Sequence, residues 1–378
     1  MNRRLSIAFL FPLLLFFLTG CWDQKEIKDE ILINGISFDL NKERKIIINA
    51  LVLDIVGKGI GVYELKNKYA ESIKSSVYES GIELQSSIPG DIETSKTRIL
   101  LFGEEFAKED FISLLDTLNR GKIANINVKV AVTNQMPGKE ILTMHNNSKP
   151  LSFFLSETIE NAEDFSLVPK IDLMDIFTLG NEHGIDFSLP LLDKNKDKVV
   201  VIGTGLFHAG KYTGRFIPYE NTPLLLLMMD KFGKTGLFST TIQEKKELEK
   251  PHNIISYEVF RQSRKFNIHT SGKNVKVDIL LKPKIVITEI TNKKNISKKQ
   301  LETIIQADLN KRANTIIKDL KLANSDVLGV GRYLKEHKPD IWKKVNWEKE
   351  YPLISFQTKV KVKIISTGSL GELTKSVK

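Results

Sequence analysis

Cys21 is the single cysteine of this 378-residue chain, and it follows Leu18, Thr19 and Gly20. A leucine, two small residues and a cysteine in that order form a lipobox: the thiol is converted to a diacylglycerol thioether and the chain is cleaved just before it. With no second cysteine the chain cannot close a disulfide, although export would permit one. The other chemistry-bearing residues lead away from catalysis. "GTGLFHAG", Gly203 to Gly210, looks like a dinucleotide loop, but such a loop must open a helix whose N-terminus faces the phosphates. Here the sequence continues as a second strand, so a hairpin is expected. Six histidines, His145, His183, His208, His252, His269 and His337, never stand three or four residues apart as a helical ligand pair would require; they read as scattered. Glu104 and Glu105 are neighbours that point apart, a solvated pair. A G-x-S-x-G nucleophile elbow is missing. No metal, no cofactor and no enzymatic activity are expected.

What precedes Cys21 agrees with export. Arg3 and Arg4 are followed by Leu5 to Leu18, apolar apart from Ser6 and with Pro12 in the middle. Fourteen helical residues reach about 21 Å at 1.5 Å each, short of the ~30 Å hydrocarbon core. Residues 1–20 therefore read as a cleaved lipoprotein signal peptide and not as a spanning helix. Two or three acyl chains on Cys21 would hold a folded domain at the bilayer, since one chain alone binds only marginally. No later stretch competes: the longest apolar run is "PLLLLMM", Pro223 to Met229, suited to a buried strand or helix turn.

The chain carries a net +10, of which Arg3 and Arg4 leave with the signal peptide, so the mature part is +8. Such a protein suits anionic lipid or cell-wall polymers, and nucleic acid is an unexpected partner outside the cytoplasm. Thr291 to Glu350 alone holds 14 Lys and Arg against 8 Asp and Glu, either a solvated helix face or a docking surface.

The elements predict an α+β protein of three domains, each a mostly antiparallel or mixed β-sheet with flanking helices. The N-terminal domain is placed at 21–136, the middle domain at 137–235 and the C-terminal domain at 236–378. "ILINGISFDL" and "RKIIINALVLDI" read as a hairpin. Tyr69, Ile73, Val77 and Leu84 suggest one helical face within residues 67–85. "TRILLFG" and "ANINVKVAVT" read as strands, with a helix from Lys108 to Arg120 stopped by Gly121. Helices are expected on one face of this sheet. In the last domain "NIISYEVFRQSRKFNIHT", "NVKVDILLKPKIVITEI" and "ISFQTKVKVKII" read as long antiparallel strands, the third alternating Val360, Val362 and Ile364 with a ladder of Lys359, Lys361 and Lys363. Ser297 with Gln300 three residues on is a capping box. It opens a long basic helix with Leu301, Ile304, Ile305, Leu309, Ile316, Ile317 and Leu320 inward, and a restart is expected near Ser325. Trp342 and Trp347 would stand about 140° apart on one helix. Either the helix stops near Asn346 and both rings join the core, or one ring stays exposed as an interface anchor.

"GCWDQKEI" at Gly20 to Ile27, "TRILLFGEEFAKE" at Thr97 to Glu109 and "SDVLGVGRYLKEHKPDIWKKVNWEKEYP" at Ser325 to Pro352 together resemble the Ger(x)C family of spore germination lipoproteins, the C subunits of germinant receptors. The spacing of Asp326, Gly329, Gly331, Trp342 and Trp347 is its most specific part; Leu328 departs from an aromatic residue common in the family. The resemblance implies a lipoprotein subunit of a nutrient germinant receptor on the outer face of the spore inner membrane. It would assemble with a multi-pass A subunit and a transporter-like B subunit and act without catalysis. Only Cys21, the lipid attachment site, carries over as a functional residue. A solute-binding lipoprotein of an importer is the alternative, but its lobes are usually repeated βαβ units. A wall hydrolase would need the nucleophile or metal ligands that are missing here.

Overall fold

The computed structural model describes residues 30–59, 62–109, 112, 127–144, 149–242, 253–272, 274–291 and 296–367. Cys21, the signal peptide and most of the helix expected from Lys108 to Arg120 lie outside them. The fold is α+β, sheets with flanking helices, as expected.

Strand β1 (Glu30–Leu40) turns back into β2 (Ile46–Gly59), and β3 (Val62–Lys74) pairs antiparallel along β2. Residues 67–74, expected to be helical, are therefore strand. A spacing of four keeps Tyr69 and Ile73 on one face of a strand as well as of a helix, and the long ladder from Ile46↔Lys74 to Gly59↔Val62 decides for the strand. Helix α1 (Val77–Ser87) starts only where the Ser76 hydroxyl accepts from the Glu79 N–H.

Next come β4 (Asp91–Glu93) and β5 (Ile99–Phe102), both parallel to β1, then the short α2 (Glu104–Ala107) and β6 (Lys129–Thr133), parallel to β5. Helices α3 (Gly138–Leu142), α4 (Leu151–Asp164) and α5 (Leu173–Gly180) lead to β7 (Ser188–Asn195), which pairs parallel with β6. β8 (Lys198–His208) and β9 (Lys211–Pro218) complete an antiparallel meander. The nine-stranded sheet, in order β3-β2-β1-β5-β6-β7-β8-β9 with β4 on β1, thus runs across the 136/137 boundary drawn from sequence. "GTGLFHAG" is the expected hairpin, turning at Ala209 and Gly210, both at positive φ.

All four residues of β5 are buried, as parallel strands require when both faces are covered. Ile99 and Leu101 join the core under α3 and α4, whereas Leu100 and Phe102 join the core with Val77, Phe106 and Ile176. Helices cover both faces, not one.

Helix α6 (Thr222–Met229) is the "PLLLLMM" run, with Leu224 to Met228 buried on all sides. It leads into β10 (Gly236–Ile242), β11 (Asn253–Arg261), β12 (Arg264–Ser271), β13 (Asn274–Leu281) and β14 (Lys284–Ile290). Helix α7 (Lys298–Leu322) follows, opened by the expected Ser297/Gln300 capping box. Its buried stripe is the expected one with Ala313 added and Ile304 only partly covered. Short helices α8 (Val330–His337), α9 (Pro339–Trp342) and α10 (Trp347–Glu350) precede β15 (Ser355–Val360) and β16 (Lys363–Ser366).

The three long strands expected here each break once: at Gln262–Ser263, Lys282–Pro283 and Lys361–Val362. Their first and second halves divide between the sheets β10-β11-β14-β16 and β12-β13-β15. Pro283 has no N–H for a ladder, but the crease stays knitted: Ser263 and Lys282 exchange backbone hydrogen bonds, and Lys361 N–H donates to the Leu281 carbonyl. The lysine alternation holds, with Val360 and Ile364 buried and Lys359, Lys361 and Lys363 exposed. The last strands pair parallel, β15 with β13 and β16 with β14, not antiparallel as expected. The intervening α7 makes that possible, because parallel neighbours need a long crossover.

Candidate functional site at the junction of the two halves

A dense polar cluster lies where the loop before β7 and the β8–β9 turn meet the chain after α7. Helix α7 ends at Leu322; Asn324 then takes φ +52° and Gly329 φ +71°, which turns the chain sharply so that Asp326 sits under the start of α8. Its carboxyl accepts from the backbone N–H of Val330 (3.0 Å) and Gly331 (2.8 Å). From the first half, Asp186 answers: its Oδ2 accepts from the Asp326 N–H at 2.8 Å and its Oδ1 from the Ala209 N–H at 2.9 Å. The Asp186 N–H in turn donates to the Asp326 carbonyl at 3.1 Å.

Around this pair lie further bonds, most of them between the two halves. The Ser325 hydroxyl donates to the Phe207 carbonyl (2.5 Å) and the Tyr351 hydroxyl to the Ser325 carbonyl (2.9 Å). The Arg332 guanidinium grips the Glu182 carboxylate bidentately, and the Arg332 N–H donates to the Gly184 carbonyl at 2.6 Å. His208 bridges both sides: Nδ1 lies 3.4 Å from Asp186 Oδ2, and Nε2 accepts from the Asn324 amide at 3.2 Å.

Two glycines bring the backbones together. A β-carbon on Gly184 (φ +91°) would stand 2.7 Å from the Gly331 carbonyl carbon and 2.9 Å from the Arg332 nitrogen, and one on Gly331 would stand 2.6 Å from Trp347 Nε1. This contact explains the Asp326, Gly329, Gly331, Trp347 spacing. Asp326 caps the helix that carries Gly331, Gly329 makes the turn, and Trp347 covers the gap. The chain is non-helical between Trp342 and Trp347, as expected, and their rings tilt together at 5.9 Å. Both stay half-buried on the rim of the C-terminal core rather than inside it. They wall a cleft of about 620 Å³ with His183, His208, Lys335 and Glu348.

Burial pushes the Asp326 carboxyl up to about 8, opposed by the Gly331 and Val330 N–H groups and reinforced by the Asp186 charge. The Trp347 indole N–H faces it and lowers it slightly, without a hydrogen bond of good geometry. His208 is also raised, by its bond to Asp186 against the opposing effect of burial. The signs agree. Unfolded, an aspartate releases its proton near 3.9, so between about pH 4 and pH 8 only the folded state holds the Asp326 proton and stability falls as pH rises. The His208 contribution is complete below its unfolded value near 6.5 and is lost as pH rises through the higher folded one. Thermal melts are therefore expected to show a lower Tm at pH 8.5 than at pH 5.5, with Asp326→Asn flattening the slope; an unchanged slope in that variant would refute the assignment.

Asp186 and His208 form a carboxylate–imidazole pair of the kind that activates a hydroxyl, but among the described residues no hydroxyl is bonded to it. Ser325 donates to a backbone carbonyl and His208 Nε2 faces an amide. Among the described residues no group of three or more His, Cys, Asp or Glu is arranged to hold a metal. The arrangement joins two bodies. Sequence reasoning found Asp326, Gly329, Gly331 and both tryptophans but missed Asp186, Gly184 and the place of His208. Asp186 lies 140 residues from Asp326, and nothing near it in the chain marks it.

Residues 23–194 match the family described as spore germination protein N-terminal domain, and residues 202–368 that described as spore germination B3/GerAC-like, C-terminal. The chain belongs to the Ger(x)C family. Within it, the chain is 23% identical over 367 residues to the spore germination protein GerQC of Bacillus cereus, covering 95% of this chain and 98% of that one. It is 19% identical over 412 residues to the spore germination protein KC of Bacillus subtilis (strain 168), covering 97% of each. The crystal structure of the GerBC protein superposes with a TM-score of 0.57 over 88% of this chain and 97% of that one, at 16% identity, which shows a shared fold. The junction of this Ger(x)C protein lies across both family regions, with Asp186 in the first and His208 and Asp326 in the second.

Proposed function

We propose that this chain is the lipid-anchored C subunit of a nutrient germinant receptor, needed for spore germination. It sits on the outer face of the spore inner membrane, held by acylated Cys21, and acts by assembly with the integral-membrane A and B subunits and not by catalysis. The observation that carries this reading is the pair of spore germination family matches, which together run from residue 23 to residue 368, directly behind the lipobox. The structure supports it in two ways. Among the described residues no helix is long and apolar enough to cross a membrane, which agrees with attachment through a lipid. The polar groups of the junction are spent on holding two sheets together, which suits a rigid scaffold.

Tagged chain purified from detergent-solubilised spore membranes is expected to bring down two multi-pass membrane proteins, and spores lacking the chain are expected to lose the response to one set of nutrients. Recovery of the chain alone, with germination of the deletion spores unchanged, would refute the assignment.

A further inference from the structure

A cleft of about 450 Å³ opens between β1, the loop before β5 and helix α4. Leu32 and Leu53 give it an apolar wall, and Phe153, Ser156 and Glu160 of α4 line the other side. Those three stand at i, i+3 and i+7, so one face of the helix runs along the cleft. The sheet contributes Asn34. β1 is bulged at this residue, because Ile33 pairs with Val52 and Gly35 already with Leu51. Ile33 belongs to the core on the far face of the sheet, whereas Gly35 faces Ile99 and Leu142 on the near one. A bulge re-aims a side chain, and this one sets Asn34 in the wall of the cleft.

Asn34 is 2% exposed, and neither the oxygen nor the nitrogen of its amide has a hydrogen-bond partner. Buried polar side chains are nearly always satisfied. A donor and an acceptor left open on one amide are the complement of a second amide.

Charge is divided along the cleft. The Arg98 guanidinium carbon lies 3.8 Å over the Phe153 ring, a cation–π contact that holds the plane and leaves the N–H edge open. Among the described residues neither Arg98 nor Lys96 forms an ion pair, and both are exposed. Lys129, also in the lining, is spent on Glu163 at 2.7 Å. The exposed carboxylate of Glu160 belongs to a residue seven positions beyond Phe153, about 10 Å further along the helix. One end of the cleft is thus cationic, the other anionic, and an open amide and apolar side chains lie in its walls. Three extended residues of a peptide cover about the same 10 Å.

We infer that this cleft binds a short peptide of about three residues with both termini free. Its carboxylate sits on Arg98 and Lys96, its ammonium group lies toward Glu160, and one of its peptide groups meets the Asn34 amide. The guanidinium fork takes a carboxylate bidentately, and a few placed polar groups among apolar walls are the usual make-up of a small-molecule site. This site is separate from the junction and does not rest on the lipid anchor.

Equilibrium dialysis of the full-length lipoprotein in detergent micelles against isotopically labelled trialanine tests it. Saturable binding of one peptide per chain is expected. Trialanine amide lacks the carboxylate, and 8-aminooctanoate keeps the separation of the two charges without any amide; each should bind at least about tenfold more weakly. Arg98→Gln and Glu160→Lys, both at exposed positions, should melt like the parent and weaken trialanine binding by about tenfold or more. Asn34→Leu replaces the unpartnered amide by an apolar group of similar shape, so it should melt no lower than the parent and lose the peptide. Absence of saturable binding by the parent would overturn the inference, as would binding unchanged in Arg98→Gln and Glu160→Lys. Equal affinity for 8-aminooctanoate would show that no amide is recognised and overturn it as well. An Asn34→Leu protein that melts lower yet binds trialanine normally would assign the amide to the fold alone, with the same consequence.

Discussion

Gly184→Ala is expected to loosen the junction and to split one cooperative melt into two. Two costs combine at this position. The backbone holds φ +91°, a region L side chains rarely adopt, and the new methyl would be driven into the backbone of Gly331 and Arg332, which cannot rotate away as a side chain would. Overpacking of this kind costs about 1–3 kcal/mol, occasionally more, and αL-type strain adds about 1 kcal/mol or more. For units of this size the loss should lower Tm by roughly 5–10 °C. Gly331→Ala meets the same contact from the other side, where Trp347 has some freedom to give, so its effect should be smaller. The double variant should fall short of the sum, because both substitutions break one interface. Calorimetry reads all three. A Gly184→Ala protein that melts as the parent does would show that the backbones need not approach this closely.

Cys21→Ala should move the protein from the membrane to the soluble fraction or leave it unprocessed. On the lipid-anchor proposal the Cys21 thioether would carry the acyl chains, and each buried CH₂ contributes ~0.8 kcal/mol, so two or three chains would hold the folded part at the bilayer. A chain starting near Asp23 should fold and stay soluble, because it keeps every described element, from the strand at Glu30 onward. Detergent phase partitioning decides it. Unchanged partitioning of a processed Cys21→Ala chain would end the lipid reading.

What the sequence by itself determined is what short-range chemistry encodes. The signal peptide and lipobox expected in residues 1–21 are a linear pattern of the same kind, and they lie outside the described residues. The cap of α7 needs only Ser297 and Gln300, three residues apart, and its buried stripe needs only the helical period; both are found where the pattern put them. The alternation of β15 and β16 was equally local. Tertiary structure alone decided what depends on distant partners. The spacing of Tyr69, Ile73 and Val77 fits a strand as well as a helix until β2 supplies the ladder that makes residues 62–74 a strand. Three apparently continuous strands break because two sheets share them, which no single strand reveals. At the junction the sequence marks Asp326 only as one polar residue in a spacing that resembles the family's, and it does not mark Asp186 and His208 as members of the cluster at all. Asp186 reaches Asp326 across 140 positions of chain and His208 reaches Asn324 across 116, through glycines at 184 and 331 that let two backbones touch. Local pattern carries information only over the few residues that one helix turn or one pleat brings together, and a buried carboxyl finds its partners by closing loops far longer than that.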